Sequence, residues 1–431
     1  MTVKTIYAAG LMAAFLAGCG ERDIKLVGER EAIRGAELLE NQSLPMKFSS
    51  AKANADWTHR NGGPTHQISN PALGAALTQI FTVTVGEGDS RRARITAEPV
   101  VAGGVIYTLD ARARVSATST AGAPLWSVDV TPRNDNATDA SGGGLSISGG
   151  TVFVTTGFGE LTALDAGTGQ ELWSQDLDAP GTSAPTVQGD LIYVVARNST
   201  AWALDTATGR IQWQISGSPS IANVGGGAGA AVSGDLAVFP FSSGEVIGTF
   251  PEGGTRRWQN IISGERNGNA AGIISDITSD PVISGNRVYV GNFGGQVAAL
   301  DTFNGDRIWT ASEGALGPVW PAGNAVFLVN DLHQLTRLDA ATGAPVWRID
   351  LNTDEVESTR RQRPVTAHYG PILAGGRLIV GSTDGLIRQF DPASGALIGT
   401  IPVDGGVAAS PVVAGGTLYV ITKTGQLVAF R

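Results

Sequence analysis

The stretch ALDTATGRIQW, residues 203–213, recurs along a chain of 431 residues and carries the main evidence for its architecture. Four other segments align with it without a gap: ALDAGTGQELW (163–173), ALDTFNGDRIW (299–309), RLDAATGAPVW (337–347) and QFDPASGALIG (389–399). Two degenerate copies end at Trp126 and Trp258, and successive Trp residues are separated by 38 to 51 positions. This period, with several short apolar runs in each unit, is typical of a propeller blade and not of a helical solenoid.

Each unit contains four predicted strands, and the units are expected to close into a ring. Complete units begin near residues 98, 146, 184, 231, 281, 318 and 371, and an eighth begins near residue 410 and stops before its outer strand. Residues 78–85, TQIFTVTV, form an unassigned strand upstream of the first unit. The sequence therefore predicts an all-β protein, an eight-bladed β-propeller of four-stranded antiparallel blades. The N-terminal strand would close the ring, because closure leaves no exposed edge.

Three positions of the repeat have predicted structural roles. The Asp can accept backbone N–H bonds from residues that follow it, the Gly can adopt a positive φ, and the Trp ring can pack between neighbouring blades. These residues are Asp165, Gly169, Trp173, Asp205, Gly209, Trp213, Asp301, Gly305, Trp309, Asp339, Gly343 and Trp347. Their regular recurrence favours turns and packing over catalysis.

The composition agrees with many short strands joined by tight turns. Gly accounts for 59 residues, charged residues make up 16% of the chain, and the formal net charge is -9. An acidic protein is repelled by nucleic acid and by anionic lipid surfaces. The basic clusters at 91–94 and 360–363 have no interleaved aromatic residues, which indicates solvated loops. We therefore expect no nucleic-acid partner.

The N-terminus is predicted to direct export and lipid attachment. Lys4 precedes an apolar run, residues 6–17, that is too short to cross a bilayer, and small residues lead to Cys19, the only Cys. This pattern resembles a bacterial lipobox, in which the Cys carries the lipid. The expected domains are a lipoprotein signal peptide (1–18), a lipidated N-terminus with a flexible spacer (19–55) and the propeller (56–431). An ordinary signal peptide followed by an incidental Cys is the alternative.

The repeat resembles the tryptophan-docking motif of quinoprotein alcohol dehydrogenases and their propeller relatives. With a lipobox and eight units, the chain resembles the BamB family, propeller lipoproteins of the machinery that folds and inserts outer-membrane β-barrels. The resemblance implies a non-catalytic scaffold without a cofactor, anchored in the outer membrane and facing the periplasm. Its implied partners are the periplasmic POTRA domains of the barrel subunit and unfolded outer-membrane proteins.

The resemblance also implies that the partner contacts lie on two loops. They correspond to residues 219–225 and 274–280, in which Ile221 matches an apolar contact position and Asp276 an acidic one. The predicted strand order supports this location independently, because both loops emerge on one face and flank the blade 231–258. Partner-binding residues often lie on such loops. We expect Ile221 and Asp276 to lie on the surface.

Other functions remain open at this point. The quinoprotein enzymes that the repeat resembles need a bound calcium-like ion, a catalytic Asp and a vicinal Cys pair, whereas the single Cys here is assigned to the lipid. The four His residues have no ligand spacing, and no nucleophile or phosphate-binding motif occurs, so no metal site is predicted. A propeller that binds polysaccharide or peptidoglycan through Trp202 or Trp320 is a further alternative.

Overall fold

The structure is a computed structural model that describes residues 39–139, 142–181, 183–220, 227–264, 274–352 and 366–431. In these residues, 32 strands form eight four-stranded antiparallel sheets, and the only helical element is a short 3-10 turn, Arg60–Gly62. All of them belong to one compact unit, Leu39–Arg431. The fold is an eight-bladed β-propeller, which confirms the architecture that the repeat predicts.

Seven blades are each built from four consecutive strands, with the innermost strand first. Blade one contains β2 (Val100–Ala102), β3 (Val105–Leu109), β4 (Arg114–Ser119) and β5 (Pro124–Asp129), and blade two contains β6 (Gly143–Ser148), β7 (Thr151–Thr156), β8 (Glu160–Asp165) and β9 (Glu171–Asp176). Blade three contains β10 (Thr186–Gln188), β11 (Leu191–Val195), β12 (Thr200–Asp205) and β13 (Ile211–Ser216), and blade four contains β14 (Ala231–Ser233), β15 (Leu236–Pro240), β16 (Glu245–Thr249) and β17 (Arg256–Ile261). Blade five contains β18 (Val282–Ser284), β19 (Arg287–Gly291), β20 (Val297–Asp301) and β21 (Arg307–Ala311). Blade six contains β22 (Trp320–Ala322), β23 (Ala325–Val329), β24 (Gln334–Asp339) and β25 (Pro345–Asp350). Blade seven contains β26 (His368–Ala374), β27 (Arg377–Ser382), β28 (Leu386–Phe390) and β29 (Leu397–Pro402).

Blade eight joins the two ends of the described chain. It contains β30 (Val412–Ala414), β31 (Thr417–Ile421) and β32 (Gln426–Phe430), and its outer strand is β1 (Gln79–Thr84). Since β1 pairs antiparallel with β32, the closure predicted for residues 78–85 is confirmed. A ring closed in this way has no unpaired edge between its first and last blades.

The repeat glycine and tryptophan dock each blade onto the next one. The indole Nε1 of Trp173 in blade two donates to the carbonyl of Thr206 in blade three at 3.1 Å. Gly209 has φ +69°, and a Cβ there would lie 2.5 Å from Cε3 of the Trp173 ring. A side chain at this position would therefore be both strained and obstructed, which explains the glycine. The same contact joins Trp126 to Gly169, Trp213 to Gly254, Trp258 to Gly305, Trp309 to Gly343 and Trp347 to Gly395.

The repeat aspartate closes the turn before the outer strand. Oδ1 of Asp205 accepts hydrogen bonds from the backbone N–H of Thr208 at 2.8 Å and from its hydroxyl at 2.6 Å. The backbone N–H of Gly209 donates to the Asp205 carbonyl at 2.9 Å. Asp165, Asp301, Asp339 and Asp391 form equivalent turns. The carboxylates are thus committed to local backbone groups.

The docking contact between blades is different on both sides of blade eight, in which β1 pairs with β32. Phe81 of β1 takes the place of a Trp and packs against Gly122 of blade one, where a Cβ would lie 2.8 Å from its ring. On the other side, blade seven carries Gly399 at the Trp position. Blade eight has no turn between its third and outer strands, because β32 and β1 come from opposite ends of the chain. A Trp at position 399 would therefore find no repeat turn to dock on.

Residues 52–71 cross the centre of the ring and contact every blade, which corrects the expectation that the spacer is flexible up to residue 55. In every blade the inner strand, or the turn that follows it, is hydrogen-bonded to this segment. The bonds are Gly415 N to Asn54 O, Trp57 N to Val101 O, Ile147 N to Thr58 O, Val187 N to His59 Nε2, Val232 N to Pro64 O, Ile283 N to Thr65 O, Gln67 Nε2 to Pro321 O and Gly375 N to Pro71 O. We call residues 52–71 the central segment.

Candidate functional site

The two loops expected to bind a partner lie on either side of blade four. The first follows β13 and the second follows β17, so each connects an outer strand to the inner strand of the next blade. Such connections emerge on one face of a propeller, together with the turn between the second and third strands. The described parts of the loops are residues 217–220 and 227–230 of the first and 262–264 and 274–281 of the second.

Glu245, the first residue of β16, attaches the first loop to blade four. Its carboxylate accepts hydrogen bonds from the backbone N–H of Ser218, from Oγ of Ser243 at 3.0 Å and from Nε2 of Gln259 at 2.7 Å. Burial acts to raise the pKa of Glu245, but these hydrogen bonds outweigh it, and the pKa lies below its ordinary value. An ionised carboxylate therefore holds the start of the first loop.

Asp280 joins the end of the second loop to the first loop and to the central segment. Its Oδ1 accepts a hydrogen bond from the backbone N–H of Gly229, and its Oδ2 lies 3.0 Å from Nε of Arg60. The same Arg60 nitrogen lies 3.6 Å from Oε1 of Glu98 in front of blade one, and Oε2 of Glu98 accepts from the backbone N–H of Asn61 at 3.2 Å. One buried ionic cluster thus fixes the C-terminal ends of both loops relative to the ring centre.

The charge states of this cluster follow from burial and pairing. Desolvation raises the pKa of Glu98, and the neighbouring Arg60 guanidinium offsets this only in part. Burial acts to lower the pKa of Arg60, but the carboxylates of Asp280 and Glu98 raise it above its ordinary value. Arg60 therefore remains a cation, and the carboxylates that face it depend on that charge for compensation.

Asp276 is buried, which corrects the expectation that it lies on the surface. Only 3% of the residue is exposed. Its carbonyl accepts a hydrogen bond from the backbone N–H of Phe293 at 2.9 Å, and Ile277 pairs with Asn292 in an isolated bridge. The second loop is thus drawn onto the turn between β19 and β20 of blade five, a contact that a strand assignment does not reveal. Ile221, the other expected contact residue, lies outside the described residues.

Other residues of this face are accessible to a partner. Ser218, Pro219 and Ser263 are exposed, and Ile261 at the end of β17 is 50% exposed. Ile261 lies opposite Glu245 in the register of β16 and β17, and Ser218 bonds to that same Glu245, so the two loops meet around this position. Ile261 thus gives the exposed polar residues of the two loops an apolar neighbour that a protein partner can contact. We call Ser218, Pro219, Ile261 and Ser263 the blade-four patch.

The four His residues form two pairs that linear spacing did not predict. His59 and His66 both lie in the central segment, and Nε2 of His59 accepts the backbone N–H of Val187 at 3.0 Å. The rings of His333 and His368 are 6.1 Å apart. Burial, reinforced by His66, lowers the pKa of His59 to about 3, and burial followed by nearby cations lowers that of His368 to about 4. Both are therefore neutral at physiological pH.

Neither Trp proposed as a sugar platform presents its ring to solvent. Trp320 is buried and stacks on Trp57 of the central segment, with ring centroids 6.3 Å apart and planes inclined by 19°. Trp202 is buried in the core between blades two and three. Their indoles fill space inside the ring, so the structure offers no support for carbohydrate stacking at these two positions.

A cavity of about 600 Å³ remains beside the central segment, and its wall includes Arg60, Glu98, His368 and Lys423. Arg60 and Glu98 are committed to the ionic cluster described above. Within the described ranges, no three His, Cys, Asp or Glu side chains are grouped as metal ligands. The part of the chain covered by the structure also contains no helix long and apolar enough to cross a membrane. Cys19 lies outside that part.

Comparison with known proteins relates the chain to one family. The sequence profile described as outer membrane protein assembly factor BamB matches residues 111–349 and 333–431. BamB of Shewanella oneidensis is 25% identical over 434 residues, covering 98% of this chain and 97% of that protein. BamB of Escherichia coli is 26% identical over 335 residues, covering 76% and 82%.

Solved structures show the same fold at lower identity. The crystal structure of BamB from Moraxella catarrhalis has a TM-score of 0.68 at 18% identity, covering 83% of this chain and 100% of that one. A quinohemoprotein alcohol dehydrogenase from Comamonas testosteroni has a TM-score of 0.65 at 16% identity, covering 88% and 81%. At these identities the likeness shows only a shared propeller. The profile, which spans most of the chain, describes an assembly factor and not an enzyme. The chain therefore belongs to the BamB family of outer membrane protein assembly factors and is not an enzyme.

Proposed function

We propose that this chain is a non-catalytic scaffold lipoprotein of the outer-membrane β-barrel assembly complex. A lipid on Cys19 holds it at the periplasmic face of the outer membrane after residues 1–18 are removed. It binds the periplasmic POTRA domains of the barrel subunit and assists the folding and insertion of outer-membrane proteins. Family membership and the signal-like N-terminus that ends at Cys19 support this proposal.

The observation that carries the binding site is that the two loops flanking blade four are joined to each other and to the ring. Glu245 holds the first loop at the outside of blade four, and Asp280 holds both loops at the inside. A surface that is fixed before binding loses little conformational entropy when a partner docks. We place the partner on the blade-four patch together with Ile221. Asp276 contributes to this site through the position of the second loop, since its side chain is buried.

Measurement of the affinity of this protein for the purified periplasmic POTRA domains tests this site. Ile261→Lys places a charge at the exposed apolar centre of the patch without repelling the Glu245 carboxylate opposite it, and we expect the affinity to fall at least tenfold, about 1.4 kcal/mol. Leu172→Lys is the matched control, because Leu172 is 53% exposed on β9 of blade two. Both variants should melt like the wild type, since each change lies on the surface. Unchanged binding by Ile261→Lys would show that the partner does not bind at blade four.

The anchor requires a separate experiment. Cys19→Ala should leave an unprocessed precursor or a soluble periplasmic protein, whereas the wild type should sediment with the outer membrane. Gly20 follows the Cys, and no acidic residue there signals retention in the inner membrane. Recovery of the wild type in the soluble fraction would contradict the anchor and leave the binding site untouched.

A further inference from the structure

The outer strand of blade six is covered by the chain's own N-terminal segment. The residue before the docking Trp is exposed in several other blades, including both neighbours of blade six, with values of 53% for Leu125, 40% for Ile308 and 56% for Ile398 at the corresponding position of blade seven. Val346 occupies this position in blade six and is only 5% exposed. Blade six therefore differs from its neighbours because something lies against its outer edge.

Residues 41–48 supply that cover, and we call them the strap. The backbone N–H of Gln42 donates to the carbonyl of Val346 at 3.0 Å, like an added strand. The side chain of Asn41 forms two hydrogen bonds with the backbone of Arg348, each at 2.9 Å. Its Nδ2 donates to the Arg348 carbonyl, and its Oδ1 accepts the Arg348 N–H. An Asn that bonds both backbone groups of one residue fixes the register of the strap on the edge. Met46 and Phe48 pack against the core.

One repeat position of blade six departs from most other copies at a place where the strap lies. Arg337 stands where three ungapped copies have Ala, and its Nη1 donates to the carbonyls of Leu44 at 2.7 Å and of Ala393 at 3.0 Å. Burial lowers the pKa of Arg337, and only 1% of the residue is exposed, so this cation is held mainly by carbonyl groups. The strap is therefore clamped between blades six and seven.

Asn324 provides the second attachment at the turn between β22 and β23. Its Oδ1 accepts the backbone N–H of Lys47 at 3.0 Å, and its Nδ2 donates to the carbonyl of Pro45 at 3.2 Å. The preceding Gly323 has φ +58°, and a Cβ there would overlap the Lys47 carbonyl, whereas a Cβ at the equivalent Gly103 meets nothing within 4 Å. The turn of blade six is thus shaped to let the strap pass.

We propose that the strap fixes the point at which the lipid-bearing N-terminus leaves the propeller, and thereby favours orientations in which the rim of blade six is nearest to the lipid surface. This inference rests on the proposed lipid at Cys19. It assigns the blade-six rim to the membrane and leaves the blade-four patch, a quarter of the ring away, for the protein partner.

Chain length makes the position of the strap consequential. Asn41 is 41 − 19 = 22 residues from Cys19, and a chain of that length spans at most about 75 Å. Without the strap, the first fixed residue would be Lys52, where the central segment begins, 52 − 19 = 33 residues away, with a reach of about 110 Å. A propeller of this size has a radius of gyration of about 21 Å. A tether that starts near the ring axis would favour no particular rim at the membrane, whereas one that starts at blade six favours the rim of blade six there.

Hydrogen exchange tests the strap without any lipid. In full-length soluble Cys19→Ala protein, the amides of Gln42 and Lys47 should exchange slowly. Arg337→Ala with Asn324→Gly restores the residues found at these positions in other blades, so the propeller should fold, and exchange in 41–48 should accelerate at least tenfold. Asn286→Gly, the same turn change in blade five, is the control and should have no effect on the strap. Fast exchange at 41–48 in the parent protein would overturn the proposal.

Energy transfer to an acceptor lipid tests the orientation. Cys19, the only Cys in the chain, is coupled to a maleimide lipid, which removes any dependence on lipidation in the cell. The protein is bound to vesicles of phosphatidylethanolamine and phosphatidylglycerol, with a fluorophore on a keto amino acid at Ile308, Ile398 or Leu172. Transfer from blades five and seven should exceed that from blade two at least twofold, and the difference should vanish in the strap variant. Equal transfer from all three sites in the parent protein would overturn the proposal, whereas failure of the Cys19→Ala fractionation would contradict only the natural anchor.

Discussion

The guanidinium Nε of Arg60 lies 3.0 Å from Oδ2 of Asp280, and this contact joins the central segment to a loop on one face of the ring. Asp280 also accepts the backbone N–H of Gly229 at the end of the neighbouring loop. A residue near the N-terminus thus helps to set the geometry of two loops that follow it by about 170 and 220 positions. The blade-four face is for this reason a tertiary construction and not a property of one blade.

Removal of the Arg60 cation should destabilise the propeller. Arg60→Met leaves the buried carboxylates of Asp280 and Glu98 without compensation, which typically costs about 3–5 kcal/mol. Urea denaturation of the variant should show this loss. The triple variant with Glu98→Gln and Asp280→Asn should recover most of it, because no uncompensated charge is left. A single variant as stable as the wild type would show that the cluster is not needed for the fold.

Asp276 and Ile261 should respond in opposite ways to charge substitution. Asp276→Lys forces a cation into a buried position, so its melting temperature should fall, by an amount equivalent to about 2 kcal/mol or more. Ile261→Lys should change melting little and binding strongly, because half of Ile261 is exposed and the residue opposite it is the carboxylate of Glu245. Thermal melting and POTRA binding, measured side by side, distinguish the two. Wild-type stability of Asp276→Lys would contradict the burial of Asp276.

The docking glycines should tolerate a methyl group less well than other glycines with a positive φ. Gly209→Ala adds a Cβ that would lie 2.5 Å from the Trp173 ring, whereas Gly150, with φ +80°, has nothing within 4 Å of such an atom. Both substitutions incur backbone strain of about 1–2 kcal/mol. Overpacking against Trp173 adds about 1–3 kcal/mol at Gly209 only. Equal melting temperatures of the two variants would show that the Trp173 indole can move aside without destabilising the fold.

Stability should fall in mild acid because buried His residues resist protonation. The pKa of His59 is about 3 in the folded chain and near 6.5 when unfolded, so its contribution is complete above pH 6.5 and decreases as the pH falls toward 3. His368, with a pKa of about 4, acts in the same sense, and Glu98, whose pKa is raised, acts in the opposite one. Each such His contributes a slope of about 1.4 kcal/mol per pH unit.

Urea midpoints between pH 7.5 and 5 measure this slope. His59→Gln can still accept the backbone N–H of Val187 but does not titrate, so its stability should depend less steeply on pH than that of the wild type. A slope identical to that of the wild type would mean that His59 becomes protonated without resistance in the folded chain.

The central segment should contribute to stability separately from the closing strand. A chain that begins at residue 76 keeps β1 but lacks residues 52–71, and it loses the hydrogen bonds from this segment to the inner strand or the following turn of every blade. We expect it to melt well below a chain that begins at residue 39. A chain that begins at residue 90 lacks β1 as well and should aggregate, because blade eight then has an open edge. Equal melting of the chains from 39 and from 76 would contradict the role of the central segment.

Local patterns were sufficient for the blades, because each blade is made of contacts between residues close in sequence. The Asp205 turn depends on bonds within five residues, and Gly209 is needed wherever a Trp must dock, so both leave a periodic signal. The closing strand was also predictable, since an incomplete last unit and a spare first strand complement each other. Family membership follows from the same repeat, which the sequence profile recognises over most of the chain.

Contacts between distant parts of the chain left no such signal and were decided by the tertiary structure. Residues 41–71 have no periodicity, and their bonds to blades one to eight reach across as many as 361 positions, as between Asn54 and Gly415. For the same reason the sequence misplaced Asp276, whose burial depends on the turn at Asn292–Phe293 in the next blade. Only after folding does Arg337 become the clamp of the strap, because its carbonyl partners come from the N-terminus and from blade seven. The position of a residue in the repeat indicates its place within its own blade. Its burial and its hydrogen-bond partners depend on which distant residues the closed ring places next to it.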